Sequence, residues 1–404
     1  MNSSTFIHTD ISENLCKKDL IKGCLYSAIQ DSYAVACWSN PESKNWDIII
    51  DPHPTLLASN KTPYIHTLPS GFLIAPFNAN DSKFFIQNKI HIQLGEAVNT
   101  TAQIGYETIL ENVLQTSSLT KDASVADLLP EKTIRTESVT DDNYIASVKV
   151  AKEIIVASDL QKVVLARSKE QAVSLTNLET VVLNLREQYP LAYVSIFYHP
   201  ETGLWISATP ELLLSTDSEG TFKTVALAGT QKYNAAIPIR DVSWTHKEIE
   251  EQALVCRYII NCFKTIRLRE YIEQGPRTIQ SGNLLHLKTE YTANTTEVNM
   301  QELGTTMLQL LHPTSAVCGM PKKHAIDFIE HHEQFDRKLF SGYSGPVNMR
   351  NETALYVTLR CAQIHSNSIT LYAGAGITAE SVPQKEFEET NLKMDVIGKA
   401  FSNL

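Results

Sequence analysis

The sequence predicts an α/β protein of the α+β type with mostly antiparallel strands, and three observations carry that expectation. Between Ile21 and Ile92 short apolar segments, "YAVACW", "WDIII", "GFLIAPF" and "KFFIQNKIHI", are separated by Pro, Asn, Ser and Asp, the punctuation of consecutive short strands. From Leu355 to Cys361 apolar residues alternate with Tyr356, Thr358 and Arg360, the period of two that belongs to a strand. The segments from Trp244 and from Pro383 instead carry helical spacing behind acidic first turns. At 404 residues and 43% hydrophobic, the chain has ample material for a large core.

Taken in order, residues 1–139 read as a strand-rich N-terminal region integrated into the same fold as residues 140–404, with the polar stretch 115–142 as connector. Tyr144, Val148 and Ile155 then mark a helical stripe behind possible caps at Thr140 and Asp141. That helix leads to "LQKVVLARS", in which Lys162 starts a face shared with Val164 and Ala166. A lysine desolvated by apolar neighbours loses part of its preference for the ammonium form and becomes a candidate base; a strand-end lysine reaching into water is the other reading. A helix from Asn177 to Gln188 precedes two strands and "TPELLL", where Glu211 stands between Pro210 and three leucines. There it is either a desolvated carboxyl that keeps its proton near neutral pH or a strand-initial glutamate facing solvent.

The strand "FKTVALAGT" ends in Gly229 and Thr230, a glycine beside a hydroxyl. The amphipathic helix from Trp244 places Glu251 just before Ala253, Leu254 and Val255, so that this carboxylate can face inward. "LLHPTSAVCGMP" closes a helix at His312 and Pro313 and turns through Ala316 and Val317 towards Gly319. His331 and His332 flank each other on the next helix, and adjacent helical residues point in different directions, so they read as surface residues and not as metal ligands.

In the last segment the alternation presents Arg360 on the face opposite the apolar set, exposed and available. The next strand runs into "YAGAGIT", where Gly374 and Gly376 leave backbone bare to a ligand. Pro383 opens a helix with Glu386, Glu389 and Lys393 on one face. Alone, Glu389 and Lys393 are an ordinary i,i+4 surface pair.

A net charge of −10 without any Lys/Arg-rich run argues against nucleic acid and anionic membranes as partners. With no basic n-region ahead of an apolar core and no run of about 18 apolar residues, the protein is expected to be cytoplasmic. Its seven scattered cysteines, never spaced as C-x-x-C, indicate neither a disulfide framework nor a zinc site.

The ordered motifs "KVVLARS", "SATPELLL", "LAGT", "KEIEEQALV", "HPTSAVCGMP", "LRCAQI", "AGAGIT" and "EFEET..K" resemble those of the chorismate-utilising enzymes, and most of all the isochorismate synthases, from about residue 140 to the C-terminus. That resemblance implies two large, mostly antiparallel sheets packed face to face with helices outside, and a deep site at one end. It implies that Lys162 is the general base activating water for attack on carbon 2 of chorismate, and that Glu211 is the general acid protonating the hydroxyl that leaves carbon 4. It further implies Glu251 and Glu389 as Mg²⁺ ligands, and Arg360 and the Gly374 backbone as groups holding the enolpyruvyl carboxylate. Lys393, the backbone at Ala316 and Val317, and the strand end at Gly229 and Thr230 complete the implied substrate site. Where the family's metal-helix motif often reads "KD..EH", this chain has Lys247-Glu248 and Glu251-Gln252, which alters what surrounds the metal ligand.

Relatives that use ammonia typically carry glutamine at the position of Lys162, and the aminodeoxychorismate type carries lysine at that of Ala228; this chain has the water-activating pattern. The expectation is therefore a monomer that needs no glutamine amidotransferase subunit and supplies menaquinone or siderophore synthesis. The alternatives are a salicylate synthase, which continues to pyruvate elimination, and a non-catalytic chorismate-binding protein, which has no need of both acid and base.

Overall fold

A computed structural model of the chain describes residues 6–8, 15–119, 123–132, 141–296, 300, 302–333 and 335–402. Among the described residues two antiparallel sheets form the centre, one of 11 strands and one of 9. The larger runs inward from Val98–Gln103 through Ile90–Leu94, Trp46–Asp51 and Ala34–Ser39 to Tyr193–His199 and Gly203–Thr209. It then continues through Cys361–Ile364, Ser368–Ile377 and Lys162–Ala172. The smaller sheet contains, in spatial order, Ile272–Ser281, Leu284–Asn294, Thr221–Lys232, Leu212–Thr216, Thr353–Val357, Tyr343–Val347 and Gly71–Ala75.

Aromatic side chains fill the space between the sheets. Trp38 meets Phe72 at 5.4 Å between ring centroids, and Tyr193 stacks on Tyr356 at 4.0 Å, each pair with one ring from either sheet. Rings of this size bury large apolar areas with two rotatable bonds each, so they set the intersheet spacing at low entropic cost. The outer faces are covered by helices: Lys17–Gln30, Leu178–Gln188 and Pro383–Ser402 over the larger sheet, His246–Thr265 and Leu303–Leu311 over the smaller. The α+β class and the paired antiparallel sheets agree with the sequence reading, and strands from the N-terminal region enter both sheets. Ala34–Ser39 pairs with Tyr193–His199, and Gly71–Ala75 with Tyr343–Val347.

Several local expectations are corrected. The segment from Ile21 is not strand: Lys17–Gln30 is a helix burying Leu20, Ile21, Cys24, Leu25 and Ala28. The connector does not begin at residue 115, because the helix Glu107–Leu119 runs through it. Thr140 lies outside the described residues, and the helix there spans Asp141–Ala157.

The largest correction concerns Arg360. Leu355 to Cys361 is not one strand: Thr353–Val357 belongs to the smaller sheet, Cys361–Ile364 to the larger, and the chain crosses between them at residues 358–360. Arg360 takes a positive φ of 45° in that crossing and is 9% exposed, so it is buried between the sheets and not presented on a strand face.

A candidate active site between the sheets

The crossing delivers Arg360 into a pocket whose wall is built from both sheets and the helices behind them. Every residue of the substrate, acid–base and metal set implied by the resemblance lines it: Lys162, Glu211, Gly229, Thr230, Glu251, Ala316, Val317, Arg360, Gly374, Glu389 and Lys393. Residues more than two hundred positions apart converge there because the central strands of each sheet come from distant parts of the chain.

Lys162 begins the strand Lys162–Ala172, which is paired along its length with Ser368–Ile377. Val163 and Leu165 face a core against Tyr144, and the opposite face turns Lys162 and Val164 to the pocket. At 2% exposure the amine does not reach water, and burial lowers its pKa from the usual lysine value against the opposing pull of Glu251. Gly376 makes room for it. A Cβ at Gly376 would stand 2.8 Å from Lys162 Cε and 3.1 Å from Glu251 Oε1. Gly376→Ala is therefore expected to displace the amine and cost about 10-fold or more in kcat, since misplacement by about 1 Å can cost 10²-fold; steady-state kinetics on the folded variant checks it.

Glu211 is 5% exposed, which decides between its two readings: it is desolvated and does not face solvent. Burial pushes its carboxyl up to about 7, with Arg360 and Lys162 pulling the other way. Thr314, in the turn before Ala316, reaches its Oε1 at 3.5 Å. The pocket thus holds an amine displaced downward and a carboxyl displaced upward, the directions that suit one side chain to accept a proton and the other to donate one.

The strand carrying Gly229 and Thr230 does not end there. Thr221–Lys232 continues, and its pairing with Leu284–Asn294 slips between Ala228 and Gln231, so these two residues form a bulge. Gly229 has φ +69°, a conformation other residues adopt with difficulty. His286, a residue not singled out from the sequence, holds the bulge: its Nδ1–H donates to the Gly229 carbonyl at 2.9 Å. Its Nε2 is consequently the acceptor, buried in the pocket wall without a partner, and burial lowers its pKa to about 3. The period-two pattern of "LLHLKT" does not signal this, because it puts His286 on the same face as Lys288.

Glu251 lies on the helix His246–Thr265, whose start is set by Thr245 and Glu248: the Thr245 N–H donates to Glu248 Oε2 at 2.7 Å. Glu251 faces inward, and its Oε1 is buried without a hydrogen-bond partner. Burial raises its pKa although Lys162 and Lys247 oppose the shift. Gln252 turns away, donating to Ala226 O at 3.2 Å and Thr289 Oγ1 at 3.0 Å.

Glu389 and Lys393 are 2.6 Å apart, but the pair is not on the surface, and Lys393 also donates to Gly374 O at 2.8 Å. Burial of Glu389 is outweighed by Lys393 and Lys247, which hold its carboxyl below the usual range. Glu386, one turn earlier, accepts from Lys247 at 2.6 Å and has a second oxygen, Oε2, buried without a partner. Lys247 is 3.7 Å from Glu251, and despite its burial Glu251, Glu386 and Glu389 keep it firmly charged.

Among the described residues no group of three or more His, Cys, Asp or Glu has the geometry of a ready metal site. Two carboxylates completed by substrate and water are nevertheless the ordinary protein contribution to a Mg²⁺ site. The unpartnered oxygens of Glu251 and Glu386, beside Glu389, are hard donors of the type that ion takes. His331 and His332 play no part: their Nδ1 atoms contact their own helix, at Asp327 O and Phe328 O.

The model of the chorismate binding enzyme family matches residues 80–402. Isochorismate synthase EntC of Escherichia coli is 31% identical over 248 residues, which is 60% of this chain and 62% of EntC. The vibriobactin-specific isochorismate synthase of Vibrio cholerae is 32% identical over 59% of this chain and 62% of its own length. The match thus spans somewhat less than two thirds of these relatives. In fold the chain is similar to MenF, the menaquinone-specific isochorismate synthase of Escherichia coli, with a TM-score of 0.73, 19% identity, and coverage of 98% of this chain and 94% of that one. Among the described residues no helix is long and apolar enough to cross a membrane.

Proposed function

The chain belongs to the chorismate binding enzyme family, and from that premise we propose that it is a Mg²⁺-dependent isochorismate synthase. It is an isomerase that interconverts chorismate and isochorismate by adding water at carbon 2 and releasing the hydroxyl from carbon 4. The observation that carries this reading is the pair of buried groups in one pocket, an amine with lowered and a carboxyl with raised pKa.

In the forward direction Lys162, neutral, takes a proton from the water that attacks carbon 2. Glu211, protonated, gives its proton to the hydroxyl at carbon 4, which leaves as water while the ring double bonds shift. The ring gains one hydroxyl and loses another, and the two side chains exchange roles in the reverse direction. Arg360 and the bare backbone at Gly374 hold the enolpyruvyl carboxylate, while Lys393 adds a second cation to a substrate that is a dianion. The backbone at Ala316 and Val317 and the bulge at Gly229 and Thr230 bound the ring.

Glu251 and Glu389, with Glu386 behind them, would hold Mg²⁺, which when bound offsets the charge between these carboxylates and the ring carboxylate of the substrate. Relatives named for menaquinone and for vibriobactin both match, and either destination, menaquinone or a siderophore, suits the product. No amidotransferase subunit enters the scheme, because Lys162 stands where ammonia-using relatives have glutamine. We take the enzyme to act as a cytoplasmic monomer.

The pH dependence tests the proton assignments. The acid must be protonated, so kcat/KM for chorismate is expected to fall as pH rises through about 7, where Glu211 loses its proton. The base must be neutral, so activity is lost on the acid side as Lys162 gains a proton. A rate that climbs steadily through pH 9 contradicts Glu211 as the acid.

A further inference from the structure

One buried ion pair lies outside this chemistry but touches two parts of the pocket. Glu333 and Arg337 are one helical turn apart in the chain, past the end of the helix Lys322–His332, with side chains 5% and 3% exposed. The guanidinium binds Glu333 through two bonds, Nε to Oε2 at 2.7 Å and Nη2 to Oε1. Two further donors go to backbone: Nη1 to Val317 O at 2.9 Å and Nη2 to Val164 O at 2.7 Å. Glu333 Oε1 accepts in turn from the Ala166 N–H at 2.8 Å. The ring of Phe77 closes the other side, 4.2 Å from the guanidinium carbon.

Val317 lies in the turn that bounds the pocket, and Val164 is two residues along the strand from Lys162. Removing charges from water is costly, and a buried pair repays that cost mainly where its geometry is constrained. Here the constraint lies between the base-bearing strand and the substrate-facing turn.

Resting on the reading proposed above, we infer that Arg337 is a positioning residue for the reaction: braced by Glu333, its guanidinium sets the spacing between the strand of Lys162 and the turn at Ala316 and Val317. The cations assigned to the substrate, Arg360 and Lys393, are not among the partners of this pair, so loosening it leaves the ionic grip on the substrate in place and relaxes only the ring-facing edge at Val317. What it disturbs is the placement of the amine against the ring. A lysine at 337 keeps the charge but lacks the planar fork that joins a carboxylate and two carbonyls at once.

The test compares Arg337→Lys with a matched control. Arg186 is also buried and also clamps backbone carbonyls, those of Asn40, Tyr189 and Ala192, but none of them lines the pocket. Both variants are measured for thermal midpoint, kcat and KM with chorismate. Arg337→Lys is expected to lose about 10-fold to 10²-fold in kcat with KM changed less than about threefold, a split typical of misplaced catalytic groups, whereas Arg186→Lys keeps kcat within about twofold. If Arg337→Lys does not fold, Glu333→Gln carries the same comparison, since it retains the shape of the brace and weakens its charge. An active wild type with unchanged kcat in the clamp variant, or an equal loss in both variants, overturns the positioning role alone. A wild type inert towards chorismate overturns the reading of the pocket and the positioning role with it.

Discussion

Lys162→Ala is expected to reduce kcat by about 10² to 10⁴, or roughly 3 to 5 kcal/mol of transition-state stabilisation, the range of a general base. The amine is 2% exposed and has Glu251 as its principal charged neighbour, so the side chain contributes little as a surface salt bridge or a solvating group. Truncation should leave the fold and chorismate binding, because on the proposed reading Arg360 and Lys393 still supply cations to the dianionic substrate. Glu211→Gln is expected to lose a similar factor for the complementary reason: the amide fills the same buried space beside Thr314 but has no proton of suitable acidity for the departing hydroxyl. Circular dichroism and a chorismate-dependent rise in thermal midpoint establish that the variants fold and bind. Wild-type rates in either contradict the roles assigned.

Removal of the metal should have an effect of the same order. Glu251 and Glu389 line one end of the pocket with Glu386 behind them, and Lys247, Lys162 and Lys393 are the neighbouring cationic side chains. A dianionic substrate entering beside these carboxylates is repelled unless a divalent cation joins them. Activity is therefore expected to vanish in excess chelator and to return on addition of Mg²⁺. Glu251→Ala and Glu389→Ala should each abolish the Mg²⁺-dependent rate and weaken Mg²⁺ binding measured directly by calorimetry. Full turnover in excess chelator contradicts the metal assignment.

Much of the fold was legible because its elements carry their own periodicity. The strand of Lys162 shows which face is apolar, and the helix His246–Thr265 shows Glu251 at the edge of a hydrophobic stripe. The crossing at Arg360 was hidden by the same signal: Leu355 and Cys361 obey one alternation yet are buried in different cores on different sheets. A period of two cannot register a change of sheet when both halves are apolar on alternate positions. The helix Lys17–Gln30 was lost where a helical stripe runs into a segment rich in strand-forming residues. The site residues could be singled out one by one, but not their burial, because each is desolvated by segments far away in the chain. His286 and Arg337 had no visible signal, since their partners are backbone carbonyls, at Gly229 for the first and at Val164 and Val317 for the second, which no side-chain pattern encodes.

On the proposed reading this pocket adds water to chorismate and stops there. The most direct measurement is product analysis after incubating the purified protein with chorismate and Mg²⁺ in ¹⁸O-labelled water, with no amine donor and no second protein. The expected result is a chorismate and isochorismate mixture approached from either side, with the label in the hydroxyl at carbon 2 of isochorismate and salicylate at the level of spontaneous breakdown. Salicylate accumulating in proportion to enzyme would make the protein a salicylate synthase, anthranilate formed from added ammonium would overturn the role of Lys162, and unchanged chorismate would leave a binding protein without catalysis.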